Sequence, residues 1–178
     1  MKKIFYHVVT ERPMKLGQII NYDENNHSGV YQRVYKIKDK VDEIYSNPEK
    51  YKNIALDHHT KVALRELAME EVRIKKYPEY PSRLSSLYVS NTLEEALKWY
   101  NIFINMNRPV YQIVKVEVKG KYFTGDAFNC FDGTIDKEEN LRLAENYWKN
   151  VPNSKEENPI YETLVSGPIK VIEIVKEF

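Results

Sequence analysis

An α+β fold is predicted by three features of the sequence: strand-like segments at both ends, amphipathic helical patterns between them, and no internal repeat. The chain has 178 residues and a mass of 21.1 kDa. At ~150 residues per domain this reads as one domain over 1–178. With 42% hydrophobic and 30% charged residues, the composition is globular rather than disordered. A fold of this size buries roughly 70% of the surface of its unfolded chain and needs neither disulfide nor structural metal.

The elements follow in order. Residues 4–10 are β-branched and aromatic and stop at Glu11-Arg12-Pro13, which predicts a strand holding one polar residue, His7. Val30, Val34, Ile37, Val41 and Ile44 recur at helical spacing and predict one helix closed by Asn47-Pro48. Leu64, Leu67, Ala68 and Val72 predict another over 60–76, with Lys75-Lys76 suiting its C-terminal dipole and Pro78 and Pro81 ending it. Leu87-Tyr88-Val89-Ser90 reads as a short strand. Thr92-Leu93-Glu94-Glu95 is a capping box, and Leu93, Ala96, Leu97, Tyr100, Phe103 and Ile104 form an apolar stripe behind it. Alternation over 110–118, ended by Gly120 and resumed at 122–124, predicts a strand pair or one bent strand. Residues 125–135 read as a loop, Asp136 and Glu139 cap a helix reaching Trp148, and 152–159 is a polar linker. Strand-like segments at 160–165 and 169–175, joined by Ser166-Gly167-Pro168, predict a closing hairpin or bent strand pair.

Charge and cysteine content narrow the functional classes. Lys plus Arg number 27 and Asp plus Glu 26, so no bulk attraction to nucleic acid or anionic membrane follows. The single cysteine, Cys130, forms no internal disulfide, which points to a reducing, cytoplasmic setting. No stretch matches a signal peptide or the ~20 apolar residues of a membrane helix. Glycine-rich phosphate loops, G-x-S-x-G, H-E-x-x-H and C-x-x-C are all missing from the sequence. The adjacent His58-His59 cannot chelate one metal unaided and read as surface residues. Cys130 lacks a neighbouring cation and reads as a structural thiol. No aromatic and basic interleaving marks a nucleic-acid platform, although nucleic acid stays open as a partner.

Two strand-borne polar residues stand out. A strand side chain at His7 must face either core or cleft, and a buried imidazole requires hydrogen-bond partners. If Leu164 faces inward, Glu162 shares its side, where an unpaired carboxylate is costly. From the residues alone, a satisfied core histidine and a strand-end glutamate in water are the alternative readings.

Taken in order, four stretches resemble the ADP-ribosyltransferase superfamily in its His-Tyr-Glu branch. They are Tyr6-His7, Leu87-Tyr88-Val89-Ser90 leading into Asn91-Thr92-Leu93-Glu94-Glu95-Ala96, the strand at 110–118 ending at Gly120, and Glu162-Thr163-Leu164-Val165-Ser166-Gly167-Pro168-Ile169. The chain is also similar to a small uncharacterised bacterial domain family whose sequences begin with the same Tyr-His-Val-Val-Thr pattern. The resemblance implies split antiparallel β-sheets with an inserted helical region, and a nucleotide partner, NAD, as the substrate. It gives His7 a ribose hydroxyl to bind, Tyr88 the nicotinamide to stack on, and Ser90 a place in the polar wall. Arg83 would meet the pyrophosphate, its other reading being a solvated loop arginine. Glu162 would accept a hydrogen bond from the nicotinamide ribose and stabilise the oxocarbenium-like sugar as the glycosidic bond breaks. ADP-ribose would then pass to an acceptor or to water, and nothing in the sequence specifies the acceptor. The alternative is a non-catalytic interaction module that keeps the α+β fold. Val8 motivates it, since transferases of that branch place glycine after the histidine.

Overall fold

The computed structural model describes residues 1–153 and 158–178 and is a mixture of helices and two antiparallel sheets. Part of the linker read at 152–159 lies outside the described residues. The strands are β1 (Lys3–Val9), β2 (Ile19–Tyr22), β3 (Leu87–Val89), β4 (Gln112–Val118), β5 (Tyr122–Asp126), β6 (Tyr161–Val165) and β7 (Gly167–Glu177). The α-helices are α1 (Gly29–Tyr35), α2 (Lys38–Ser46), α3 (Pro48–Tyr51), α4 (His58–Lys76), α5 (Leu93–Asn105) and α6 (Lys137–Trp148). One sheet has the order β1-β4-β7-β2 and the other β3-β6-β5.

The layers follow from which side each strand buries. Phe5 and Val9 on β1, Val114 and Val116 on β4, and Ile169 and Val171 on β7 face the second sheet, meeting Leu87, Val89 and Val165 in an apolar inter-sheet core. The opposite face of the larger sheet buries Val8 and Ile113 under Ala96 of α5. The outer face of the smaller sheet, through Phe123 and Leu164, packs on Met69, Val72, Tyr147 and Trp148 of α4 and α6. The helices α1 and α2 close over Ala63 and Leu64 of α4.

Several expectations change in this frame. The helix read through Val30 and Ile44 is two helices, because the Ile37 amide bonds the Val34 carbonyl at 3.2 Å, tightening the turn to a three-residue spacing. Its apolar stripe still packs as one surface. β4 and β5 do not pair with each other, and neither do β6 and β7; each consecutive pair divides between the two sheets. Of the two readings of 160–175, a hairpin or a bent strand pair, the hairpin does not form among the described residues. Gly125 and Asp126, read as loop, belong to β5. Both passages between sheets lie side by side: a Cβ on Gly120 would fall 1.9 Å from the Ser166 carbonyl oxygen, so only glycine lets the two backbones meet. A four-residue edge strand, β2, had no counterpart in the sequence reading. On α5 the threonine half of the capping box forms as read, the Glu95 amide donating to Thr92 Oγ1 at 3.1 Å, while the Glu95 carboxylate takes the Asn91 amide at 3.0 Å; Leu97 and Ile104 are exposed.

Candidate functional site

Where the two sheets part, a cavity of about 600 Å³ opens between β1, β2, β3, the start of β6, α1 and α4. His7, Arg83, Tyr88, Ser90 and Glu162 all line it, although contacts among them span up to 81 residues of sequence. The larger sheet brings His7, and the smaller brings Tyr88 and Glu162. Ser90 is the joint. Its amide donates to the Tyr6 carbonyl at 2.7 Å and its carbonyl accepts from the Tyr6 amide at 2.9 Å, fastening β1 to the end of β3.

His7 lies between the buried Phe5 and Val9 on the inner side of β1, so strand alternation aims it at the second sheet. Its Nδ1 is 2.7 Å from the Tyr88 carbonyl oxygen, and because a carbonyl only accepts, Nδ1 carries the proton. Burial pushes the imidazole pKa down to about 4, against the opposing pull of that hydrogen bond and of Glu11. The ring is therefore neutral at pH 7 and keeps Nε2 as an acceptor. Val8 points the other way, into the α5 packing with Ala96 and Ile113.

Glu162 is 8% exposed and is no strand-end residue in water. It shares its side of β6 with Leu164, which is fully buried, as the period of 2 requires. Its Oε1 accepts from the Arg83 guanidinium, from the Tyr147 hydroxyl at 2.7 Å and from the Cys130 thiol at 3.6 Å. Every one of these bonds falls on Oε1. Among the described residues Oε2 takes none, yet no buried side-chain oxygen lacks a partner, so Oε2 is the atom open to the cavity. Gly125 sits opposite Glu162, and a Cβ there would press on the Tyr147 ring at 3.3 Å.

Arg83 differs from both sequence readings in its surroundings. It is 4% exposed rather than solvated, and its donors are engaged by protein groups: Nε and Nη2 bond Glu66 at 2.8 and 3.1 Å, while Nη1 bonds Tyr147 at 2.7 Å and Glu162. Burial alone would lower the Arg83 pKa, but Glu162 and Glu66 outweigh it and hold the guanidinium charged. Burial likewise opposes ionisation of Glu66, and Arg83 with Arg65 reverses the balance, leaving its pKa below the ordinary value. The Tyr88 hydroxyl donates to the Arg83 carbonyl at 3.2 Å, and its ring centroid lies 5.4 Å from the guanidinium carbon. Burial raises the Cys130 thiol to about 12, so it stays protonated and donates to Glu162.

Sequence reasoning passed over Glu66, Tyr147 and Trp99, and read a fourth contributor, Cys130, only as a structural thiol. Glu66 is flanked at three-residue spacing by Ala63 and Met69, both fully buried, and that register could have marked it as inward-facing. Tyr147 carries the same signal, three residues after the fully buried Ala144, while Cys130, outside any helix or strand, carries none. Trp99 of α5 also lines the cavity, its Nε1 donating at 2.8 Å to the Tyr161 carbonyl beside Glu162. His58 and His59 are exposed at the cavity rim, and no group of three or more His, Cys, Asp or Glu among the described residues is placed to hold a metal ion. No helix among the described residues is long and apolar enough to cross a membrane.

No curated protein matches the sequence. A model for DUF2441, described as a protein of unknown function, matches residues 5–177, nearly the whole chain. The chain belongs to the DUF2441 family.

Proposed function

We propose that this protein is an ADP-ribosyltransferase-like domain of the split-sheet type, which binds NAD in the cavity between the parted sheets, α1 and α4 and breaks its nicotinamide glycosidic bond. The observation that carries this reading is the convergence of His7, Tyr88 and Glu162 on one cavity, with one Glu162 oxygen pinned and the other open to it. The neutral His7 ring offers Nε2 to a ribose hydroxyl. Tyr88 and Trp99 supply two aromatic surfaces for the planar base. As the bond to C1′ lengthens, its electron pair moves onto the pyridinium nitrogen and neutralises it, while positive charge grows on the sugar. A carboxylate already in place stabilises that charge more than the ground state. An acceptor lone pair then bonds C1′; with water as acceptor, the products are ADP-ribose, nicotinamide and a proton.

The charge of the cavity supports a ligand carrying two negative charges, as a pyrophosphate does. Arg12, Arg33, Arg65 and Arg108 line it together with Arg83, against Glu11, Glu66 and Glu162. Five guanidinium groups thus face three carboxyl groups. Among the described residues the side chains of Arg12 and Arg33 make no hydrogen bond or ion pair, which leaves their guanidinium donors for a ligand. The volume falls within the ~300–1,000 Å³ usual for small-molecule sites.

Calorimetric titration with NAD, joined to detection of released nicotinamide, tests the reading. Wild type should bind and release nicotinamide, and Glu162→Gln should keep binding while losing roughly 10²–10³ in rate. No heat at millimolar NAD and no nicotinamide would end the proposal and leave the non-catalytic module.

A further inference from the structure

We infer that Glu66 is a positioning residue for Glu162, acting through Arg83: by holding the Nε/Nη2 edge of the guanidinium it fixes the group in the orientation in which Nη1 alone meets Glu162, on one oxygen, and the other oxygen stays open. A guanidinium beside a carboxylate ordinarily makes two parallel bonds, which would close both oxygens. Here two buried carboxylates share one guanidinium. Glu66 holds the edge with Oε2 to Nε at 2.8 Å and Oε1 to Nη2 at 3.1 Å. Nη1 then divides its hydrogens between the Tyr147 hydroxyl at 2.7 Å and Glu162, which meets it through Oε1 alone.

Glu66 is itself locked. At 2% exposure it also accepts on Oε1 from Arg65, Nε at 3.2 Å and Nη2 at 3.1 Å, while Arg65 anchors its Nη1 on the Phe131 carbonyl at 3.3 Å. The chain Arg65, Glu66, Arg83, Glu162 therefore alternates in charge from α4 to β6. Removing the second link frees the guanidinium edge. Arg83 then turns toward Glu162, bonds both of its oxygens and withdraws Oε2 from the cavity.

The inference rests on the reading of Glu162 as the acting carboxylate, and the test separates the two. In the labelled full-length chain, Glu66→Gln should move the Glu162 carboxyl ¹³C resonance and the Arg83 Nε–H resonance as the bonding rearranges. If the glutamine variant does not melt cooperatively, Glu66→Met fills the same space without a polar atom and should give the same two shifts. With NAD, kcat should fall roughly 10²-fold, the scale of a ~1 Å misplacement, while KM stays within about twofold. Glu66→Asp, which keeps the charge, should recover most of that loss. A folded variant whose Glu162 resonance is unchanged from wild type overturns the inference. If wild type turns over no NAD, the functional reading falls, and the resonances alone decide the role of Glu66.

Discussion

Two buried regions lie on either side of the smaller sheet and are built on opposite principles. Between the sheets, Phe5, Val9, Val114, Val116, Val165, Ile169 and Val171 are apolar and shed water in proportion to area. Behind β6, Glu66, Arg83, Glu162 and Tyr147 are buried yet polar and are bonded to one another. The first kind of core tolerates small losses gradually. The second does not, because deleting one partner strands a charge away from water, whereas replacing the whole set by apolar groups is often neutral or stabilising.

The largest test of this contrast is Arg83→Met, which leaves two buried carboxylates facing each other and should lower stability by about 3–5 kcal/mol in denaturant unfolding. Replacing Glu66, Arg83 and Glu162 together by leucine or methionine should restore most of that loss. A triple variant no better than Arg83→Met would erase the distinction between the two regions. Next in size is a pH effect. The folded His7 titrates near 4 against an ordinary value of 6.5, so the unfolded chain takes the proton first. Stability is then complete above pH ~6.5 and declines toward pH ~4, by at most about 3 kcal/mol since the imidazole is only partly buried. His7→Gln should flatten the unfolding free energy over that window, and an unchanged slope would assign the decline to other groups. The smallest effect belongs to the apolar side: Ile169→Val should lose about 1 kcal/mol, equally at pH 5 and pH 7.5. A pH-dependent loss there would mean that the two regions are coupled.

Local chemistry made part of this molecule legible. Thr92 and Asp136 cap the helices expected of them, at 3.1 Å to the Glu95 and Glu139 amides, because a cap depends on residues within one turn. The shared side of Glu162 and Leu164 followed from strand alternation. Sheet membership was not legible. The alternation of 110–118 and 122–124 is the same whether the two segments pair or separate, and the close backbone approach at Gly120 and Ser166 that decides it is a long-range contact. Ile19–Tyr22 is short and only half-buried, so it shows no apolar run to mark a strand. Arg83 follows Pro81-Ser82 in what reads as an exposed turn, and its burial depends on carboxylates 17 and 79 residues away. A pattern of neighbours cannot disclose partners at that remove.

The Tyr6–Ser90 bridge directly precedes His7 in the chain and follows Tyr88 by two residues. It is thus the last fastened tooth of a zip: behind it the sheets are knitted through Gly120 and Ser166, and beyond it they gape. A guest that wedges the gap wider loads those two backbone hydrogen bonds. Deuterium uptake at the Tyr6 and Ser90 amides would therefore register occupancy as a mechanical load.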